Sequence, residues 1–189
     1  MQDELSHVEK QTLLHMAREA LEHGVRGKKL PPLDHDSLSM SLREHGAAFV
    51  TLTINDQLRG CIGALEAYQP LAQDVREHTI AAALEDPRFP PVREDELNRI
   101  KIEVSRLTRP LPLEYNDAAD LLSKLRPHVD GVILSDGHRR ATFLPQVWEK
   151  IPQPADFLNY LCNKMGLSET AWRTKHLEVF IYQVDEFHE

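Results

Sequence analysis

Apolar residues recur at helical spacing in three parts of the chain. A helix is predicted from Ser6 to about Val25, where Ser6 is followed three residues later by Glu9, the pattern of a capping box. A second helix is predicted from Pro70 to Leu84, because proline favours the start of a helix. A third is predicted from Ala155 to Met165. All three leave a polar face for solvent.

Extended segments rich in Val, Ile, Thr and Phe predict strands between these helices. Ala47–Ile54 and Gln57–Ala64 flank the polar pair Asn55 and Asp56, which indicates a β-hairpin. A two-residue turn would pair Ile54 with Gln57. We prefer a three-residue loop, because it collects apolar side chains on one face, namely Val50, Leu52, Ile54, Leu58 and Ile62.

Further strands are predicted at Lys101–Leu107, in a second hairpin from Gly131 to Leu144, and at Leu177–Val184. Strands and helices mix without regular β-α-β alternation, so the predicted class is α+β with a largely antiparallel sheet flanked by helices. The length fits one domain with a larger and a smaller lobe. The proline-containing segment Arg109–Pro112 is the predicted boundary between the lobes.

Composition narrows the class of protein. The chain is 41% hydrophobic and 28% charged, with a formal net charge of -8, which is ordinary for a globular domain and disfavours nucleic-acid binding. No apolar stretch approaches a membrane span and the first ten residues are polar, so we expect a soluble, cytoplasmic protein. Cys61 and Cys162 have no nearby Cys partner, so we expect no metal site.

The most informative segment is Leu58–Gly63, with the sequence LRGCIG, in which glycines flank a cysteine inside a strand. Glycine weakens a strand unless another backbone or a ligand must approach closely. A thiol is only partly ionised at neutral pH, and a nearby cation such as Arg59 would raise its thiolate fraction. The alternative is that Cys61 is a small buried hydrophobic residue and the glycines serve packing.

The loop Asp86–Pro91, with the sequence DPRFPP, is the second candidate. Its prolines stiffen the backbone, and Asp86, Arg88 and Phe89 together offer an acid, a guanidinium and an aromatic ring. Such groups can recognise a carboxylate, a phosphate or a planar ring. The alternative is a structural loop with an internal pair of Asp86 and Arg88 and with Phe89 as its core anchor.

Taken in order, LRGCIG, DPRFPP, the strand at Val104–Thr108, Asp130–Leu134 and Arg139–Trp148 (RRATFLPQVW) resemble the AMMECR domain, also called AmmeMemoRadiSam system protein A. The resemblance extends from about Leu5 to Phe187. It implies an α+β fold with a larger and a smaller lobe, and a functional LRGCIG strand. It also implies partners: a radical S-adenosylmethionine protein and a Memo-like protein, which resembles non-haem iron dioxygenases.

Carried over residue by residue, the resemblance makes Cys61 and Arg59 the candidate catalytic residues. It makes five others candidates for substrate binding, namely Gly60, Gly63, Asp86, Arg88 and Phe89. The function expected is an enzyme or enzyme component acting through Cys61, with its cofactor unspecified. The rival hypothesis is an adaptor module that binds a partner protein through the LRGCIG and DPRFPP surface, with an inert Cys61.

Overall fold

The computed structural model describes residues 4–189, and their contacts divide the chain into two compact units. The first unit comprises residues 4–108 together with Asp185–Glu189, and the second comprises Arg109–Val184. Antiparallel sheets flanked by helices confirm the predicted α+β class. The helices are α1 His7–Val25, α2 Met40–Arg43, α3 Leu71–Leu84, α4 Ala118–Lys124, α5 Pro154–Lys164 and α6 Ala171–Thr174.

Each unit has its own sheet. The strands are β1 His45–Ile54, β2 Gln57–Gly63, β3 Gln69–Pro70, β4 Ile100–Leu107, β5 Leu111–Pro112, β6 Gly131–Asp136, β7 Arg139–Phe143, β8 Glu178–Tyr182 and β9 Val184–His188. The first sheet has the order β2-β1-β4-β9, with β3 pairing with the start of β1, and the second has the order β5-β8-β6-β7.

Helices α1 and α3 pack against each other, and α3 packs on β1 and β2. The predicted capping box is present, because Ser6 and Glu9 exchange hydrogen bonds at the start of α1. Hydrogen bonds from Ser39 and Ser6 lower the pKa of Glu9 from 4.5 to about 2. Val50, Leu52 and Val104 are completely buried in the core of the unit. The apolar face of this sheet therefore lies under the helices.

The hairpin of β1 and β2 differs from its predicted form. Ile54 pairs with Gln57 across a two-residue turn, in which Asn55 and Asp56 have φ angles of 51° and 61°. Positive φ at both positions is typical of a type I′ turn, which matches the twist of the flanking strands. The predicted three-residue loop is therefore wrong.

A β-bulge in β2 restores the apolar pattern that the two-residue turn would otherwise break. The register shifts between Leu52 and Thr53, so that Leu58 pairs with Thr53, Gly60 pairs with Leu52, and Arg59 is the extra residue. Leu58 consequently leaves the predicted apolar face and is 43% exposed. Downstream of the bulge, Gly60 and Ile62 return to the face under α3.

The second unit has a separate core, built around the stacked rings of Trp148 and Phe157, whose centroids are 3.7 Å apart. The single strand predicted at Leu177–Val184 is two strands in the structure. β8 lies in the sheet of the second unit, whereas β9 continues to His188 and pairs with β4. The prediction ended too early because Asp185 and Glu186 look like loop residues, although an edge strand needs to bury few side chains.

Among residues 4–189, no helix is long and apolar enough to cross a membrane.

Candidate functional site

The two glycines of the LRGCIG strand allow close packing. A Cβ atom on Gly60 would lie 2.0 Å from the carbonyl oxygen of Ala82 in α3. A Cβ atom on Gly63 would lie 2.5 Å from the carbonyl oxygen of Ala48 and 2.4 Å from Cγ of Phe49. The structure thus supplies a packing reason for both glycines, and their predicted role in substrate binding stays a prediction.

The backbone of Cys61 is bound by the side chains of the DPRFPP loop. Its N–H donates a 2.8 Å hydrogen bond to Asp86 Oδ2, and its carbonyl oxygen accepts one of 3.1 Å from Arg88 Nη2. β2 is an edge strand, and these bonds satisfy the two groups that its neighbour β1 does not reach. The LRGCIG strand and the DPRFPP loop are therefore joined directly by hydrogen bonds.

Asp86 connects the LRGCIG strand with the DPRFPP loop. Its side chain is only 2% exposed, and it accepts hydrogen bonds from the Arg88 side chain at 2.7 and 2.9 Å. These hydrogen bonds, and secondarily the one from Cys61 N–H, hold the pKa of Asp86 well below its usual range. A buried carboxylate that stays ionised fixes the position of the guanidinium opposite it.

Arg59 anchors the other half of the loop. Its guanidinium binds the Glu96 carboxylate through Nε at 2.8 Å and Nη2 at 3.1 Å. It also donates to the carbonyl oxygens of Pro90 at 2.9 Å and Pro91 at 3.3 Å. The hydrogen bond from Arg59 lowers the pKa of Glu96 from 4.5 to about 2. The bulge thus directs Arg59 toward the loop.

The thiol of Cys61 lies on the face of the sheet opposite α3, beside Thr51. The Thr51 hydroxyl lies 3.3 Å from Cys61 Sγ, and Thr51 also pairs across the sheet with Glu103. Cys61 is partly exposed, and the Arg88 side chain is 53% exposed. The side-chain hydrogen bond to Asp86 is the main reason why the pKa of Arg88 is raised, and Cys61 makes a smaller contribution. Cys61 is therefore a partly exposed residue whose backbone contacts a guanidinium fixed by Asp86.

A cavity of about 250 Å³ lies on the other side of the loop. Its lining residues are Arg59, Phe89, Pro90, Pro91, Arg93 and Glu96. Phe89 is half-buried, and the guanidinium carbon of Arg88 lies 5.6 Å from its ring centroid. Arg88 therefore contacts both Cys61 and the ring of Phe89.

Three apolar side chains near Cys61 in sequence are exposed to solvent. Leu58 is 43% exposed, Leu65 is 40% exposed and Tyr68 is 59% exposed. Leu58 and Cys61 lie on the same face of β2, since their partners Thr53 and Thr51 are two residues apart on β1. The face that carries the thiol thus has one exposed apolar side chain, that of Leu58.

The described residues offer no cluster of metal-ligand groups. Within residues 4–189, no three His, Cys, Asp or Glu side chains are grouped to hold a metal ion. His78 on α3 lies 3.1 Å from the buried carboxylate of Asp74, and this contact raises the pKa of His78. His138 is exposed in the turn between β6 and β7.

Sequence reasoning missed Thr51, Glu96 and Arg93. Glu96 lies in the run Arg93-Glu94-Asp95-Glu96, where nothing in the sequence distinguishes it from its acidic neighbours. Thr51 carried a usable signal, because the hairpin pairing itself places it opposite Cys61.

The fold and the site define a class of α+β protein, in which a glycine-flanked cysteine on a hairpin strand is bound by a proline-rich loop. The profile of the AMMECR1 family matches residues 14–187. The chain belongs to the AMMECR1 family, which confirms the resemblance carried by its motifs.

Individual relatives extend the similarity over nearly the whole chain. A protein of Methanothermobacter thermautotrophicus is 42% identical over 186 residues, which cover 98% of this chain and 96% of the relative. Protein MK0488 of Methanopyrus kandleri is 36% identical over 201 residues, with coverages of 100% and 92%. The crystal structure of Uncharacterized Protein PH0010 from Pyrococcus horikoshii superposes with a TM-score of 0.76 at 30% identity, covering 98% of this chain and 93% of that one.

Proposed function

We propose that this protein is an enzyme or enzyme component in which Cys61 is a nucleophile or a substrate-carrying thiol and Arg88 holds an anionic substrate. The observation that carries the proposal is the guanidinium of Arg88, which buried Asp86 fixes at hydrogen-bond distance from the backbone carbonyl oxygen of Cys61, a partly exposed cysteine. A thiolate is the reactive form of cysteine, and a neighbouring cation stabilises it.

The contacts of the two arginines favour Arg88 over Arg59 as the substrate cation. Arg59 is bound to Glu96 and to two carbonyl oxygens, and its side chain is 13% exposed. Arg88 is 53% exposed, so that an anion can approach it from solvent. In this proposal Arg59 is a positioning residue that keeps the loop, and hence Arg88, in place.

The resemblance stated above supports two partners for this activity, a radical S-adenosylmethionine protein and a Memo-like protein. In this proposal the domain works as one component of a cytoplasmic three-protein system. Cys61 would present or receive the substrate that the other two components modify.

Alkylation of the folded protein with two reagents of different charge tests the role of Cys61. Iodoacetate is anionic and iodoacetamide is neutral, and both form an S–C bond with loss of iodide. We expect the ratio of the iodoacetate rate to the iodoacetamide rate at Cys61 to exceed that of the denatured chain, because the exposed guanidinium of Arg88 attracts the anionic reagent. Mass spectrometry locates the label, and fully buried Cys162 is the internal reference.

Variants identify the source of the charge effect. Arg88→Gln should lower the rate ratio to that of the denatured chain, whereas Arg88→Lys should preserve most of it. Arg99→Gln removes an exposed arginine outside the site and should leave the ratio unchanged. A Cys61 that is labelled no faster than Cys162 would contradict the proposal.

A second candidate function is that of an adaptor, favoured by the exposed apolar side chains of Leu58, Leu65 and Tyr68. Exposed apolar side chains that form a continuous patch are typical of a surface that binds another protein. In this case Cys61→Ser would keep all binding to the partner proteins, and Leu58→Glu would weaken it. The catalytic proposal instead expects Cys61→Ser to abolish activity and Leu58→Glu to have the smaller effect.

A further inference from the structure

The cavity lined by the DPRFPP loop combines apolar and charged side chains, and Cys61 is not among its lining residues. One wall is apolar, formed by the half-buried ring of Phe89 and by Pro90 and Pro91. The other wall carries the side chains of Arg59, Arg93 and Glu96. A concave site with a mostly apolar wall and a few convergent polar groups is the usual form of a small-molecule site.

The charges in this wall leave a net positive site. Glu96 is neutralised by Arg59, and its pKa of about 2 keeps it ionised and paired at neutral pH. Arg93 forms an ion pair with Asp95, and both side chains are exposed, at 73% and 71%. An ion pair in that environment contributes little, so a ligand anion can replace Asp95 at small cost.

Arg59 adds a directional donor. Four hydrogen bonds join its guanidinium to Glu96, Pro90 and Pro91, and a guanidinium has five N–H groups. One N–H of Nη1 is therefore not used by these four hydrogen bonds. The volume of the cavity limits the size of its ligand, because about 250 Å³ is less than the volume of pockets that hold drug-sized molecules. The space suits a single ring.

We infer that this cavity binds a small planar anion, of the class of single-ring aromatic carboxylates. The ring lies against Phe89 and the prolines, and the carboxylate binds Arg93 and the remaining N–H of Arg59. The site is formed without the thiol of Cys61, so it goes beyond the function proposed above and does not depend on it.

Titration of the full chain with benzoate, followed by ¹H–¹⁵N NMR, tests the site. We expect saturable shifts of the amide signals of Phe89 and Arg93–Glu96. Cyclohexanecarboxylate has the same charge without a planar ring, and benzamide has the ring without the charge. Both should bind about tenfold more weakly, since a hydrogen bond to a charged group or a stacked ring contributes that much.

Matched variants separate the groups of the site. Arg93→Gln keeps the backbone N–H that donates to Glu96, so the loop should stay folded while benzoate affinity falls about tenfold. Phe89→Leu should reduce the preference for benzoate over cyclohexanecarboxylate. Residues Glu94–Arg99 form a short 3-10 helix that follows Arg93. Arg99→Gln removes an exposed arginine at the end of this helix and should have no effect.

Two results would overturn the inference. One is the absence of saturable shifts at Phe89 and Arg93–Glu96, and the other is equal binding of benzoate by the wild-type chain and by Arg93→Gln. Cys61→Ser should bind benzoate as the wild type does. An unreactive Cys61 together with benzoate binding would therefore contradict the proposed function and leave this inference standing.

Discussion

At the scale of single residues, Gly60 is the most constrained position of the LRGCIG strand. We expect Gly60→Ala to lower the free energy of unfolding by about 3 kcal/mol, because the added Cβ would meet the backbone carbonyl oxygen of Ala82 at 2.0 Å and α3 would have to move away. Urea unfolding followed by circular dichroism measures the loss.

Gly137→Ala is the matched control. Gly137 has a φ of 64°, and an added Cβ would meet no atom within 4 Å, so this substitution adds only backbone strain of about 1 kcal/mol. Equal losses of unfolding free energy in the two variants would mean that close packing against α3 is not the reason for glycine at position 60.

Single residues also mark the limit of what the sequence predicts. The glycine pattern correctly indicates a close approach in β2, but whether a helix, a loop or a ligand approaches depends on tertiary contacts. The sequence suggests Arg59 as a cation near Cys61, whereas the structure pairs it with Glu96, which is 37 residues away in the sequence. A pairing at that distance leaves no local pattern.

At the scale of elements, the pair of Arg59 and Glu96 fastens the loop to the hairpin and gives stability a pH dependence. The folded-state pKa of Glu96 is lowered from 4.5 to about 2. Its stabilising effect is therefore complete above about pH 4.5 and is lost as the pH falls through about 2. Arg59→Gln should cost about 1–2 kcal/mol at pH 7, since the pair is only partly shielded from solvent.

The loss should shrink as the pH falls from 5 toward 2, when Glu96 becomes protonated in the wild type as well. Urea midpoints of both proteins over this range measure it. Arg93→Gln is the control, because its pair with Asp95 is exposed to solvent and should contribute little to stability. A cost of Arg59→Gln that does not change with pH would exclude the ion pair as its cause.

Elements with strong local patterns are predicted well from the sequence. The capping box fixes the start of α1, and Pro70 directly precedes α3. The turn of the first hairpin is predicted wrongly, because the alternation of apolar residues cannot distinguish a three-residue loop from a two-residue turn followed by a bulge. Beyond the bulge the strands pair as the three-residue loop predicts, with Val50 opposite Ile62. The sequence does not indicate β9 beyond Val184, because Asp185 and Glu186 interrupt the apolar pattern of the predicted strand.

At the scale of the whole molecule, the second unit is a continuous segment with its own core. We expect a fragment of residues 109–184 to fold by itself and to unfold cooperatively in urea. Trp148 and Trp172 are the two tryptophans of the protein and are both buried in this unit, so their fluorescence reports the transition.

Phe157→Ala removes the ring that stacks on Trp148 and should cost the fragment about 3–5 kcal/mol, which is most of the stability of so small a unit. Tryptophan emission of the unsubstituted fragment that is the same with and without urea would contradict independent folding.

The position of β9 in the chain has a consequence for protein synthesis. The ribosome completes Arg109–Val184 before it makes the strand that covers the edge of β4. At ~5–20 residues per second, this delay is roughly 4–15 s. During that time the nascent first sheet has an unpaired edge open to other chains, while all of the second unit has already been translated. The second unit is therefore translated completely before the first unit is, although the first unit begins earlier in the chain.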